Sequence, residues 1–481
     1  MSRLPILLIN PNLMKPPVTP ISFDLLGEYL RREKYPVELL DLSFCENDEQ
    51  VRKEVDNIKN KEYLLTAVTI RNIDDSTILS RDFILKKTKE IIDQVKKNTA
   101  SPIIVGGVGY SIFPKQVLEY LDLEFGITGD GEIALLEFAN NIEQDLDPSY
   151  IPGLVRRDGG KFISAPPRYI SLTNEPPLSR DIVDNLRYFK EGGMVGWETK
   201  RGCSLACAYC ADPVAKGRRI RTRSPKSSVE ELAGFVKRDI NIFHTCDSEF
   251  NVPEEHAIAI CKEIIDRGLS EKIEWFAYCS PIPFSEELAK LMKKSGCKGI
   301  NFTVDSASEN LLRMLGKDHT KDDLFEITKL CKKNNIELMY DLLIGGIGET
   351  RETVKETIET MKELSPRCIG VSMGVRIYPD TVYGEQVHFM SEKEKQISLY
   401  GRDGSEGNFL KPVFYLSSRL GGSLNDICRY IKDLTGDDKR FFINSSPEIE
   451  GDNNYNYNNN NPLTEKINAG ARGAFWYILS S

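Results

Sequence analysis

Histidine is scarce in this sequence. Four occur in 481 residues (His244, His256, His319 and His388), so none stands in the first 243 and no histidine ligand can come from that stretch. An excess of positive charge is also missing. Sixty-three Lys and Arg against 72 Asp and Glu leave a net charge of −9, which argues against a protein whose main work is coating nucleic acid. No apolar run approaches the ~20 residues of a bilayer span. The most apolar N-terminal run, Ile6–Ile9, also lacks the length and cleavage site of a signal peptide, so a cytoplasmic protein with no membrane partner is expected. Cysteine pairing is missing too: 11 cysteines, an odd number, with no secretory signal, argue against a disulfide framework.

What is there is ordinary for a soluble globular chain, with 40% apolar and 28% charged residues. At ~150 residues per domain the length predicts roughly three domains. Five short apolar runs open the sequence: 5–10, 37–42, 64–70, 102–108 and 123–128. Amphipathic stretches such as Asp24–Leu30 separate them, and this β-α alternation reads as a doubly wound α/β domain. Ligands in such sheets bind beyond the carboxyl strand ends. Glycine gathers at two of those ends, Gly106-Gly107-Val108-Gly109 and Gly126 to Glu132. Tight turns would account for these glycines as well as a ligand would, and GxGxxG is not completed, so no NAD site is read here. Residues 150–170 predict a hairpin with a Gly-rich turn, and a Pro-rich connection follows.

The strongest pattern is Cys203-x3-Cys207-x2-Cys210, with Tyr209 just ahead of the last cysteine. Thiolates are soft ligands for zinc or iron–sulfur clusters. A structural zinc site closes with four ligands, commonly as two pairs, whereas Cys246, Cys261 and Cys279 each lack a CxxC partner. Three thiolates on a four-iron cluster leave one iron open. Strand-like runs at 240–245, 273–278, 299–304, 336–344 and 368–376 then alternate with helices. With the cysteine segment they make about six β-α units, a partial (β/α) barrel whose site gathers at the carboxyl strand ends. The basic run Lys216–Arg223 reads as a solvated or carboxylate-facing loop, having no aromatic interleaving. The tail carries an apolar segment, Pro412–Leu416, that would close the barrel mouth. It also carries a low-complexity stretch, Asp452–Asn461, of loop or disordered composition. Its aromatic end, Gly473–Leu479, would dock on the core or cover a pocket.

The cysteine motif closely resembles that of the radical SAM superfamily. The runs Leu8–Pro11, Ile104–Gly107 and Gly129–Glu132 resemble the cobalamin-binding domain found ahead of many such enzymes. The resemblance covers roughly residues 5–400. It implies a flavodoxin-like cobalamin-binding domain (1–145), a linker and hairpin (146–195), a partial (β/α)6 radical SAM barrel (196–400) and a C-terminal accessory region (401–481). It implies a [4Fe–4S] cluster on Cys203, Cys207 and Cys210, with S-adenosylmethionine (SAM) and cobalamin as the other cofactors. Gly106, Gly107, Gly129 and Glu132 would face cobalamin, with no histidine of that domain below the cobalt. Tyr209, Ser248, Glu249, Asn251, Asp305, Ser306, Gly345 and Gly346 would face SAM. The segment Asp247–Asn251 departs from the superfamily's Gly-Gly-Glu but resembles the variant of the cobalamin-dependent branch, with a helix cap as the alternative reading. Asp305 replaces the usual Glu, and Ile347 the usual Pro of the Gly345–Thr350 loop.

The activity implied is methyl transfer to an unactivated carbon of a small molecule or peptide, by way of a 5′-deoxyadenosyl radical and methylcobalamin. Cofactors of this kind carry the hard chemistry while the protein positions and shields them. An electron donor such as flavodoxin or ferredoxin is expected, in a reduced cytosol. Oxidative cyclisation or rearrangement is the first alternative, and a non-enzymatic cobalamin or iron–sulfur carrier or sensor is another. A methylthiotransferase is argued against because only Cys45 precedes Cys203, where those enzymes need three further cysteines.

Overall fold

A computed structural model describes residues 3–402, 408–444, 454 and 456–481. The first sheet has β1 (Ile6–Asn10), β2 (Val37–Asp41), β3 (Leu65–Thr69), β4 (Ile103–Gly106), β5 (Phe125–Ile127), β6 (Leu154–Asp158) and β7 (Lys161–Ser164). Its order is β2-β1-β3-β4-β5-β6-β7. The first five strands are parallel, as near-continuous apolar runs buried on both faces require. Alternate residues of β1 enter different cores, Leu7 and Ile9 on one face, Ile6 and Leu8 on the other. The expected hairpin is β6–β7, and it continues the sheet antiparallel from β5 instead of standing apart as a connector.

The second sheet begins with β8 (Val195–Trp197). A short ribbon, β9 (Lys200–Arg201) and β10 (Arg221–Thr222), follows. Then come β11 (Ile242–Thr245), β12 (Glu274–Cys279), β13 (Cys297–Asp305), β14 (Glu337–Ile344) and β15 (Cys368–Met373). Three small strands, β16 (Val375–Arg376), β17 (Leu399–Tyr400) and β18 (Phe414–Tyr415), form their own sheet, and β19 (Phe441–Ile443) closes the series. The main order is β19-β15-β14-β13-β12-β11-β8, all parallel. This is the expected open six-strand barrel with a seventh strand, β19, supplied by the tail. Phe243, Trp275, Phe302 and Tyr340 point outward into the helix-covered core. The opposite faces of those strands line the lumen.

Buried ion pairs hold the two units together. Asp24 accepts Arg180 Nε at 2.7 Å and the backbone N–H groups of Ile182 and Val183 at 3.1 and 3.0 Å. Arg376 reaches Asp74 at 2.9 Å. The basic run is corrected by this packing: Arg221 pairs with Asp130 and Arg223 with Glu231, all buried, leaving only Arg218 and Arg219 exposed. Its charges are internal ties because acidic partners from distant elements reach them. No helix among the described residues is long and apolar enough to cross a membrane.

Candidate active site

The cysteine loop begins where β9 ends. Gly202 takes φ 89°, and a Cβ there would run into the Arg219 carbonyl oxygen. Only glycine fits. Backbone bonds pin the rest. Cys203 N–H donates to Gly217 O (3.1 Å), Ala208 N–H to Leu315 O (2.9 Å) and Cys210 N–H to Cys207 O (3.2 Å). Cys203 is buried, Cys207 and Cys210 are half-buried, and all three are free thiols. Burial pushes Cys207 up to about 11 and Cys210 to about 12, so their protons leave when a metal replaces them. Among the described residues no three Cys, His, Asp or Glu side chains are grouped to hold a single ion.

The strand ends around the loop divide into two sets. Glu249 is buried, with Oε1 accepting from Thr303 Oγ1 at 2.7 Å and Oε2 without a partner among the described residues. Burial lifts its pKa to about 7 against the pull of Lys317, and its charge is felt by Cys203 and Cys207. Ser248 Oγ donates to Asp212 Oδ2 at 2.7 Å. Asp305 sits at φ 63°, where β13 slips register against β14. Its carboxylate receives the Tyr209 hydroxyl at 2.6 Å and Lys317 Nζ at 2.9 Å, so Tyr209 and Asp305 are engaged with each other.

Other expected SAM contacts turn inward. Asn251 is fully buried. Its amide hydrogens go to Ser280 O and Pro283 O, and its oxygen accepts from Ser280 N–H. It braces two strand ends and has no donor left for SAM. Ser306, 1% exposed, shares a hydrogen bond with Thr357 Oγ1 (3.0 Å) and accepts from Ser308 N–H (3.1 Å). Its hydroxyl too is used within the protein. Gly345 and Gly346 both donate N–H to Glu349 Oε2, the latter at 3.1 Å. A Cβ on Gly345 would meet Leu416 at 2.5 Å, so the expected barrel-closing segment rests on this loop.

The carboxyl ends of both sheets meet at one cavity of about 600 Å³. Gly106, Gly107, Gly129 and Glu132 line it from the first sheet, and Ser248, Cys246, His244 and Tyr278 from the second. It opens where strand order reverses beside β1, the expected ligand crevice of a doubly wound sheet. In this wall the Glu132 carboxylate pairs with Arg201, 2.6 Å away, which also pairs with Asp130 at 3.3 Å and Glu198 at 3.0 Å. An acidic side chain expected to face a cofactor thus ties the first sheet to the strand that carries the cysteines.

The radical SAM superfamily pattern matches residues 197–361. Tryptophan 2-C-methyltransferase of Streptomyces laurentii is 30% identical, over 77% of this chain and 72% of that protein. The structure of the radical SAM methyltransferase TsrM from Kitasatospora setae, solved with tryptophan and a SAM analogue, superposes with a TM-score of 0.89 at 28% identity. It covers 99% of this chain and 97% of that one. A second TsrM structure, with cobalamin and a [4Fe–4S] cluster bound, gives 0.88 at 27% identity, covering 100% and 97%. The chain belongs to the cobalamin-dependent radical SAM methyltransferases.

The residues of this methyltransferase fit the cofactors of its family. Three unpaired thiols in a rigid loop, with an unpartnered buried carboxylate oxygen nearby, suit an iron–sulfur cluster. Glycine-lined strand ends in one cavity with an unpaired cation suit a large, phosphate-bearing corrinoid. That cation is Arg71, which follows β3, lines the cavity and makes no ion pair among the described residues; burial depresses its pKa. No spacing signal in the sequence marks Arg71, just past β3, or His244 and Tyr278, within the last residues of β11 and β12. The aromatic tail does both things expected of it: Trp476 docks edge-on against Phe276, centroids 6.1 Å apart, and lines the cavity. Of the Asn-rich stretch, residues 452, 453 and 455 lie outside the described residues. Its remainder is a built loop, with Tyr457 and Asn458 in the cavity wall.

Proposed function

We propose that this methyltransferase moves a methyl group from SAM to a ring carbon of a small aromatic amino acid of the tryptophan kind. The observation that carries this reading is the single cavity running from the glycine ends of the first sheet to an aromatic floor in the barrel. Tryptophan in the TsrM structure supports the same substrate class. When bound, the cluster supplies an open iron and low-potential electrons, and cobalamin supplies methyl-transfer chemistry.

The chain's own residues do the rest. Cys203, Cys207 and Cys210 would hold the cluster, with Glu249 beside it. Ser248 would face SAM, and Gly106, Gly107 and Gly129 would let the backbone approach the corrin. Residues 1–145 then serve as the cobalamin unit, extended by the hairpin within 146–195. Residues 196–400 serve as the cluster barrel, and 401–481 as the substrate-facing region. A protein such as flavodoxin or ferredoxin supplies electrons.

The test is anaerobic turnover of the reconstituted enzyme with cobalamin, SAM, a strong reductant and L-tryptophan, read by mass spectrometry. Methylated tryptophan with S-adenosylhomocysteine is expected, and Cys210→Ala abolishes it. Matching 5′-deoxyadenosine supports the radical route, and its absence beside product removes that route alone. Cluster-loaded enzyme that yields neither S-adenosylhomocysteine nor methylated product overturns the reading.

A further inference from the structure

Two polar ring atoms at the barrel floor have no partner among the described residues. Trp476 is 3% exposed and lines the cavity, yet its Nε1 makes no hydrogen bond. Indole nitrogen only donates, and a buried indole ordinarily finds an acceptor. The ring is held firmly: it packs edge-on against Phe276 and lies over Gly299, where a Cβ would come within 2.7 Å of it. Small size at position 299 makes room for this indole.

His244 is the second. Its Nδ1 lies 2.8 Å from the Thr245 carbonyl oxygen, which can only accept, so Nδ1 carries the proton. Burial lowers the pKa of the ring, which leaves Nε2 as a bare acceptor in a residue that lines the cavity. The Tyr278 ring stands 4.9 Å from the imidazole, and His244 pairs in register with Phe276 on the neighbouring strand. The fixed acceptor and the fixed donor therefore flank the same phenyl ring.

We propose that His244 and Trp476 are the specificity pair for the substrate: His244 Nε2 accepts a hydrogen bond from a ring N–H, and Trp476 Nε1–H donates to a substrate oxygen. The Tyr278 ring, tilted 53° to the His244 imidazole, adds an aromatic wall beside the acceptor. This rests on the reading that the substrate is an aromatic amino acid, and it adds which atoms of that substrate are read. An aromatic ring lacking an N–H leaves His244 unsatisfied, and sites built around such a bond discriminate strongly against the analogue without it.

The experiment is calorimetric binding to enzyme loaded with cluster and cobalamin, independent of turnover. The probes are L-tryptophan and 3-(benzothiophen-3-yl)-L-alanine, in which sulfur replaces the ring N–H at nearly the same shape. Wild type is expected to prefer L-tryptophan by about tenfold or more. His244→Phe brings the two probes to parity, mainly by weakening tryptophan. His244→Gln, which restores a carbonyl acceptor, recovers part of the preference. Trp476→Phe weakens both probes to a similar degree and leaves their ratio intact. Each variant is scored only if cluster and cobalamin absorbance match wild type, and the Gln variant decides the case if the Phe variant fails to load. A wild-type preference that survives in His244→Phe, or in its place an unaltered preference in both His244→Gln and Trp476→Phe with no loss of affinity, overturns the inference. If such enzyme still methylates tryptophan, the proposed function stands without it. Wild type that neither binds nor methylates tryptophan removes both.

Discussion

Glu349 shows how one buried carboxyl makes a strand end depend on pH. Burial lifts it to about 8, although the N–H groups of Gly345 and Gly346 pull it down. Its ordinary value is 4.5. Between these values the folded chain holds a proton that the unfolded chain releases, so stability falls as pH rises from about 4.5 to about 8 and stays reduced above. Glu349→Gln keeps an oxygen for both N–H groups and cannot ionise. Urea unfolding at pH 5, 7 and 9 is expected to show a shallower decline in the variant. Equal slopes would mean Glu349 is not protonated in the fold. Gly202 poses a sharper constraint. At φ 89° and against the Arg219 carbonyl, Gly202→Ala should leave far-UV circular dichroism near normal while iron bound after reconstitution drops several-fold.

At the scale of elements, the turn after β5 is joined to the cysteine-bearing ribbon by Arg201. Four residues share this contact: Arg201, Asp130, Glu132 and Glu198, all at most 11% exposed at the side chain. Buried pairs add little stability when complete, but removing one partner strands the others and costs about 3–5 kcal/mol. Arg201→Met should therefore lower the melting temperature by several degrees, with Arg201→Lys between it and wild type. A melting temperature within a degree of wild type would show that water reaches the stranded carboxylates. Asn251 belongs to the same scale. Because its amide hydrogens join two strand ends, Asn251→Ala should reduce stability by about 1–3 kcal/mol while SAM affinity in the loaded enzyme changes less than its unfolding midpoint.

Across the whole molecule, the cavity belongs to neither sheet alone. Cys246 reports on it, since it is a free thiol exposed there. Its place inside the cavity, screened from bulk water by the surrounding protein, pushes it up to about 12, so alkylation should be slow and rise with pH. Loading cobalamin should protect Cys246 from iodoacetamide at pH 8.5, measured by peptide mass spectrometry, while Cys45 labelling stays unchanged. Equal labelling with and without cobalamin would place the corrinoid elsewhere.

The sequence by itself determined the strands, the order of the two β-α units and the cysteine loop. All of these rest on local patterns: apolar runs of strand length, glycines at strand ends, and three thiols within eight residues. Packing decided everything that depends on residues far apart in the chain. Asn251 and Ser306 stand at strand ends as SAM contacts would, yet neighbours more than 25 residues away claim their hydrogen bonds. Glu132 is drawn to Arg201 across the boundary between the units. β19 joins the barrel, and Trp476 and Tyr457 reach the cavity, only because the tail folds back over it. A motif tells which atoms can do chemistry. Which of them remain free to do it is settled by the partners that folding brings within hydrogen-bonding distance.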